Sequence, residues 1–475
     1  MNDKILFVSP AKTYPVDESG RPFEPPRACV SLPALTILGS LESEGFDAEF
    51  IDLAAEGLDT ITPLNKHIHR YGLADESVVQ RIAEIKPLAL LVTSMFSNEQ
   101  RVVDDLTARV KKAYPKLPII AGGIHATIKP NWLLEQGNID IIIRGEGEEI
   151  IPKVLKQISL GKEISDRVLE LHPSIQNLNR RWAFEKVLLK EDGSYRYDSR
   201  LSMRSDLYLH RTLLDWNRNF MLYYSKGCPT HCDFCATTER DGSAVRHMGS
   251  ERMFQDFRML HEKYGVNIFY NEADAFCFDN EDIQFLKKVK EYRKEHSDFV
   301  LNNPNGFYAR VFFPRDKGYE LDEEFLDLLE DSGFNAITIS VETYNQRFNK
   351  KVDFNKITPN KIKRLVSSIN KRGMKTEVYI MYAFPTETTV ELLYDEKMGE
   401  DLGADVPSFH ACTLLPGTKY YQEYVGKGRL FSESSYRERL NCGYTFYSGI
   451  ETDFNFTNIQ PNKLKDFCAR HRLDF

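Results

Sequence analysis

Residues 223–248 read YYSKGCPTHCDFCATTERDGSAVRHM, and the reading of the whole chain turns on them. They set Cys228, Cys232 and Cys235 in a C-x3-C-x2-C spacing directly after an apolar aromatic run, Phe220 to Tyr224. Such a run predicts a short buried strand, which Gly227 and Pro229 break into a loop. Three thiolates on one tight loop can ligate three irons of a cubic iron–sulfur cluster and leave the fourth iron without a protein ligand. A small molecule can chelate an open iron, which makes the cluster a reagent as well as an electron store. The alternative is a zinc knuckle with His231 or His247 as fourth ligand. Structural zinc sites usually pair C-x2-C units with a second pair or with two histidines, and no second pair follows here.

The spacing, with Phe234 just before the third cysteine, resembles the radical S-adenosylmethionine (SAM) superfamily. That resemblance implies a 4Fe-4S cluster on Cys228, Cys232 and Cys235, with SAM at the open iron and Phe234 beside it. Working outward, residues 218–425 alternate strand and helix signals. Strands are expected at 219–224, 266–274, 298–304, 336–343, 375–384 and 407–416, with amphipathic helices such as 281–296 and 360–373 between them. Six such units suit a partial (β/α)6 barrel, whose sites lie at the carboxyl ends of its strands. Tyr270, Glu272 and Asp274 share one face of the second strand by its two-residue period. By resemblance, Glu272 or Asp274 pairs with the SAM amino group. Glu342 ends the fourth strand, with Ser340 where the related motif has Gly, and is expected to bind ribose hydroxyls. AFPTET (383–388) resembles a G-x-P-x-E-T element with Ala383 in place of Gly, so that Pro385 borders the adenosine. LLPGTKYY (414–421) resembles a P-G-T stretch near the end of the barrel. Asn302 and Asn303 are candidate SAM or substrate contacts. Each carboxylate also has a plainer reading, as a solvated strand end or the partner of a nearby Lys.

Ahead of this unit, residues 1–160 alternate strands (4–10, 48–53, 88–95, 118–123, 140–145) with helices (32–46, 76–85, 98–113, 130–136). Continuous apolar strands in that rhythm predict a Rossmann-like, doubly wound parallel sheet that binds ligands at its carboxyl edge. Ser9, Asp52, Thr93, Ser94, Gly122, Gly123, Gly145, Glu146, Gly147 and Glu148 fall at that edge. Glycines there admit a ligand close to backbone, and hydroxyls supply hydrogen bonds without bulk. The bland reading is that these glycines only end strands. The order, with Pro33 to Gly45, GGIHAT (122–127) and RGEGEE (144–149), resembles the cobalamin-binding domain that precedes the barrel in one branch of radical SAM enzymes. Other cobalamin domains carry D-x-H-x-x-G, whose His ligates cobalt from below. The matching stretch here, Asp52 to Gly57, has Ala54 at the ligating position, and alanine cannot coordinate. His125 is the counter-candidate for a ligand, although its loop position suits corrin amides or phosphate better. A domain with this fold but without the cofactor stays open as an alternative.

The rest is quieter. Residues 161–217 read as a polar connector with scattered aromatics (Trp182, Tyr195, Tyr197, Trp216) and a turn at 191–198. Residues 426–475 read as a small C-terminal cap in which Tyr444, Phe446, Tyr447 and Phe454 either line a pocket or only pack. Cys29, Cys277, Cys412, Cys442 and Cys468 lack the spacing for a second cluster and read as small buried hydrophobes, with Cys277 or Cys412 a candidate hydrogen-atom donor.

Over 475 residues, a net charge of −8 offers no basic footprint for nucleic acid. No apolar run approaches the roughly 18 residues of a membrane span. MNDKILFVSP enters a strand without a signal-peptide pattern, and cysteine usage fits a reducing cytoplasm. The α/β fold class is therefore a cobalamin-binding Rossmann-like domain (1–160), a connector, a barrel (218–425) and a cap. The resemblance implies a cobalamin-dependent radical SAM methyltransferase that generates a 5′-deoxyadenosyl radical and delivers a methyl group from methylcobalamin to an unactivated carbon. Its substrate would be a small molecule or peptide, and its electron donor a flavodoxin or ferredoxin. The alternative is a radical rearrangement, cyclisation or ring formation without methyl transfer. A binding protein without turnover is the reading from a different class.

Overall fold

The computed structural model describes residues 4–16, 19–22, 32–57, 59–66, 68–171, 219–345, 347–349, 356–430, 432–441 and 456–471. The chain forms two compact units. The first comprises 1–204 and 422–445, the second 205–421 and 446–475.

The first unit holds β1 (Lys4–Ser9), β2 (Lys12–Pro15), β3 (Asp47–Asp52), β4 (Ile61–Pro63), β5 (Ile68–Tyr71), β6 (Ala89–Thr93), β7 (Ile119–Gly122), β8 (Ile141–Gly145) and β9 (Val168–Leu171). Six of them make one parallel sheet in the order β3-β1-β6-β7-β8-β9. Helices cover it, so strand residues such as Ile5, Leu6, Leu90 and Ile142 are fully buried. Each such side chain contributes roughly 1.5–3 kcal/mol relative to exposure. Helix Gln100–Ala113 supplies Val103, Leu106 and Val110 to the same core as Leu6, Val8, Leu90 and Val92. The expected doubly wound sheet is present. Two features go beyond the sequence reading. β9 extends the sheet past residue 160 into the expected connector, and β2, β5 and β4 form a small antiparallel sheet whose three-to-four-residue strands are too short to show periodicity.

The second unit holds β10 (Asn219–Leu222), β11 (Ser225–Lys226), β12 (Arg246–His247), β13 (Ile268–Asn271), β14 (Val300–Asn302), β15 (Phe307–Tyr308), β16 (Ala336–Glu342), β17 (Lys375–Tyr382) and β18 (Val406–Ala411). β10, β13 and β14 pair in parallel, as do β15 to β18, and a parallel bridge between Leu301 and Phe334 joins the two groups. The long strands thus run in chain order, as a partial barrel requires. Their two faces differ. Phe269 packs 4.4 Å from Phe257 of helix Ser250–Tyr264, and Phe409 packs 5.2 Å from Phe467 of helix Pro461–His471, so these positions face the helices. By alternation, Tyr270, Asn302, Ser340, Tyr379, Ser408 and His410 take the opposite, inner face.

The stretch expected as one cap divides. Residues 422–445 belong to the first unit, where Glu433 and Arg437 of helix Glu433–Asn441 pair with Lys129 (2.7 Å) and Glu135 (2.5 Å). Residues 446–475 belong to the second. Trp182, Tyr195, Tyr197, Trp216, Tyr444, Phe446, Tyr447, Phe454, Cys29, Cys442 and the 191–198 turn lie outside the described residues. Among the described residues, no helix is long and apolar enough to cross a membrane.

Candidate functional site

The cysteine loop is held at both ends. β11 and β12 pair antiparallel, Ser225 with His247 and Lys226 with Arg246, and so bracket residues 227–245. Gly227 turns into the loop at φ +90°, and a Cβ there would lie 2.3 Å from the Ala244 carbonyl oxygen. Only glycine fits. At the carboxyl end of β13, Asp274 Oδ2 accepts the Gly227 N–H (3.0 Å) and the Tyr223 hydroxyl (3.3 Å), while its other oxygen pairs with Arg240. Burial raises the Asp274 carboxyl, opposed by the Arg240 guanidinium. Asp274, one of the two sequence candidates for the SAM amino group, is thus engaged in fixing the loop. Glu272, the other, is raised by burial and takes a hydrogen bond from Asn305.

None of the three cysteines is in a disulfide, and none is fully buried. One hydroxyl, Thr230 Oγ1, lies 3.1 Å from Cys228 Sγ and 3.4 Å from Cys232 Sγ, and Cys235 Sγ donates to Thr237 Oγ1 (3.2 Å) and accepts the Thr237 N–H (3.5 Å). Two sulfurs within reach of one hydroxyl, with a third one turn on, form a donor set that fits three irons of a cluster. Of the two candidate zinc ligands, His247 is engaged elsewhere: its Nε2 lies 2.5 Å from Asp279 and its Nδ1 3.8 Å from Asp282.

Elements from the far side of the unit reach this loop. The Tyr420 N–H donates to the Asp233 carbonyl (3.1 Å), and Lys419 pairs with the Asp233 side chain (2.9 Å). The LLPGTKYY stretch therefore touches the loop itself. Phe234 packs against a cluster of Phe348, Met381, Phe384 and Cys412. Beside it, Ala383 and Thr386 take φ of +58° and +66°, flanking Pro385. The positive φ explains why glycine suits the position of Ala383. Glu387 accepts the Phe384 N–H at 2.9 Å, and burial pushes its carboxyl up to about 8. Glu342 leaves β16 at φ +70° after a register shift that begins at Ser340. Asn302 and Asn303 are 2% and 3% exposed, and their amide atoms have no hydrogen-bond partner among the described residues. Cys412 is buried, which raises its thiol well above the usual range.

In the first unit the expected cobalamin contacts gather at one sheet edge. Ser9 is in register with Asp52, and Thr93 with Gly122. Asp52 caps the short helix Leu53–Glu56, accepting from Ala54 and Ala55 N–H at 3.1 Å each, and burial lifts its carboxyl to about 6. Ala54 itself is 2% exposed. Gly123 has φ +113°, and a Cβ there would stand 2.6 Å from the Ser94 carbonyl. The buried Ser94 hydroxyl has no partner among the described residues. Gly145 takes φ +74°, with its N–H on Thr127 Oγ1 at 3.0 Å, and Glu146 and Gly147 follow it. An edge of small residues with an unspent hydroxyl fits a broad cofactor laid against backbone.

His125, expected in a strand-end loop against corrin amides or phosphate, lies in the short helix Ile124–Ile128. It is 1% exposed, its Nδ1 lies 2.9 Å from Ser97 Oγ, and its Nε2 lies 3.3 Å from Gln100 Oε1. Burial lowers its pKa to about 3. With both ring nitrogens occupied, His125 holds its own loop together and has no lone pair directed elsewhere. The contacts of Thr230, Arg240 and Tyr223 escaped the sequence reading, because Thr, Arg and Tyr carry no signal until the fold brings them to the loop.

Comparison with known proteins agrees with this geometry. Residues 27–155 match the B12 binding domain, and residues 222–395 match the Radical SAM superfamily. The chain is similar to cytidylyl-2-hydroxyethylphosphonate methyltransferase of Streptomyces wedmorensis, with 24% identity across 98% of this chain and 90% of the relative. It is also similar to an uncharacterised methyltransferase of Pyrococcus horikoshii, with 22% identity across 90% and 85%. In fold it resembles the radical SAM methyltransferase TsrM from Kitasatospora setae, solved with tryptophan and a SAM analogue bound. That likeness has a TM-score of 0.65 at 16% identity, over 90% of this chain and 76% of that one.

Proposed function

This chain couples a B12-binding domain to a radical SAM domain, and on that premise we propose that it transfers a methyl group to an unactivated carbon of a small molecule. The observation that carries the reading is the loop with three thiols outside any disulfide at the carboxyl end of β10, in a chain that also presents a cobalamin-type sheet edge. Cys228, Cys232 and Cys235 would hold the cluster, Glu272 the SAM amino group and Glu342 the ribose, with Phe234, Asn303, Ser340 and Pro385 around them. Ser9, Thr93, Ser94, Gly122, Gly123, Gly145, Glu146 and Gly147 would border the corrin. Neither Ala54, which has no donor atom, nor His125, whose ring nitrogens face Ser97 and Gln100, would offer the bound cofactor a histidine ligand. When bound, these cofactors supply the homolytic cleavage of SAM and the methyl group. The chain supplies orientation and the exclusion of water and oxygen. Its electrons would come from a flavodoxin or ferredoxin in the cytoplasm.

Counting SAM products tests the reading. Anaerobically reconstituted protein should form S-adenosylhomocysteine together with 5′-deoxyadenosine. Formation of 5′-deoxyadenosine alone would favour rearrangement or ring closure. A preparation that binds no cobalamin would sink both readings.

A further inference from the structure

The inner face of the last three barrel strands carries a hydrogen-bonded series that the proposed function leaves unused. Thr338 Oγ1 donates to Glu377 Oε2 at 3.2 Å, and the Ser408 hydroxyl bonds to the same carboxylate. Ser408 Oγ lies 3.1 Å from His410 Nε2. The series runs from β16 through β17 to β18. It occupies the face opposite Phe409, away from the helices. Its interior end, Glu377, is partly buried, and its last member, His410, is exposed.

The direction of these bonds follows from what each group can do. An ionised carboxylate only accepts, so Thr338 and Ser408 both donate to Glu377. With its proton so used, the Ser408 oxygen accepts from His410, which places the neutral imidazole's proton on Nε2. Nδ1 then keeps its lone pair, and it has no hydrogen-bond partner among the described residues. The ring is also held in place. Tyr379 meets it edge-on with centroids 4.7 Å apart, and the Tyr379 hydroxyl is itself tied to the Pro304 carbonyl at 2.7 Å.

The charge of the surroundings narrows the ligand. Glu342 acts on the His410 ring electrostatically, and Glu377 stands behind it. Of the other inner-face positions of these strands, Ser340, Tyr379 and Met381 carry no charge, and Lys375, at the opposite end of β17 from Met381, is paired with Asp405 at 2.7 Å. A phosphate or carboxylate would meet two carboxylates and no cation there, whereas a hydroxyl or an ammonium would meet an aimed acceptor. We propose that His410, positioned by Ser408 and Glu377, anchors a hydroxyl or amine of the substrate through Nδ1. This rests on the reading of the second unit as the substrate-handling barrel.

Crystals of the reconstituted holoenzyme at pH 8, where a histidine is neutral, provide the test. They are soaked in 2-aminoethanol or in acetate at equal concentration. The expected result is 2-aminoethanol within hydrogen-bond distance of His410 Nδ1, and no acetate there. Ser408→Ala should lose the bound amine and Ser408→Thr, which restores the hydroxyl, should keep it. The structure of each variant reports directly on its own fold. Acetate at Nδ1, an empty Nδ1 in the 2-aminoethanol soak, or an amine retained in Ser408→Ala would overturn the assignment. None of these outcomes depends on the SAM product count, so the anchor and the methyl-transfer reading can fail separately.

Discussion

Asp274 Oδ2 lies 3.0 Å from the backbone nitrogen of Gly227, so the exit of one strand grips the first residue of the cysteine loop that follows its neighbour. The same carboxylate pairs with Arg240, near the far end of that loop. One side chain therefore sets both ends.

Replacing Asp274 should loosen the loop before it touches the chemistry. Asp274→Ala leaves the Gly227 N–H without its acceptor and Arg240 with Asp241 alone, at a cost of about 2–4 kcal/mol. Iron and sulfide per chain should fall after reconstitution. Asp274→Asn, which keeps an acceptor but not the charge, should fall less. Equal iron content in all three proteins would refute the role.

Gly227→Ala asks a side chain to stand 2.3 Å from the Ala244 carbonyl at φ +90°. The strain should cost about 1–3 kcal/mol and displace the loop. The ultraviolet–visible spectrum of the reconstituted variant should show little cluster absorbance. A wild-type spectrum would contradict the close approach.

Thr230→Val should move the cluster's midpoint potential. The hydroxyl lies within reach of two of the three cysteine sulfurs, and once these are deprotonated ligands it can donate to one of them, which favours the reduced, more negative state. Its loss should lower the potential by on the order of 60 mV, tenfold in a one-electron equilibrium. Redox titration followed by electron paramagnetic resonance measures this, with Thr230→Ser as the variant that preserves the value.

His125 should make the first unit acid-sensitive. Its pKa lies near 3 in the folded chain and near 6.5 when unfolded, so between these values only the unfolded state takes up the proton. Its contribution is complete above about pH 6.5 and is lost as pH falls toward 3, by up to about 1.4 kcal/mol per pH unit. Urea midpoints from pH 7 to 4 should fall more steeply for the wild type than for His125→Gln. Parallel curves would show that the ring takes its proton while folded.

Much of this was legible in the sequence because its signals are local. Three cysteines in eight residues point to a cluster, and unbroken apolar runs between amphipathic helices point to parallel sheets. The choice between Glu272 and Asp274 was not legible, since the sequence places both on one face of a strand expected over 266–274, whereas β13 ends at Asn271 and both lie in the turn beyond it. It depends on Arg240 and Gly227, 34 and 47 residues away along the chain. His125 reads from the sequence as a strand-end loop residue suited to corrin amides or phosphate. Ser97, Gln100 and Trp132 enclose it from segments that no period of two or 3.6 connects. The tail also read as one piece because nothing in its composition marks the point near residue 446 where it changes unit.

That change of unit imposes an order on the molecule's making. The helix Glu433–Asn441, which pairs with Lys129 and Glu135, leaves the ribosome after every strand of the second unit has been synthesised. The first unit therefore waits, without the Lys129–Glu433 and Glu135–Arg437 pairs, through the translation of the unit that follows it. A fragment ending near residue 204 would be an unfinished domain, and cofactor loading tested on such a fragment would report on a protein the cell never completes in that form.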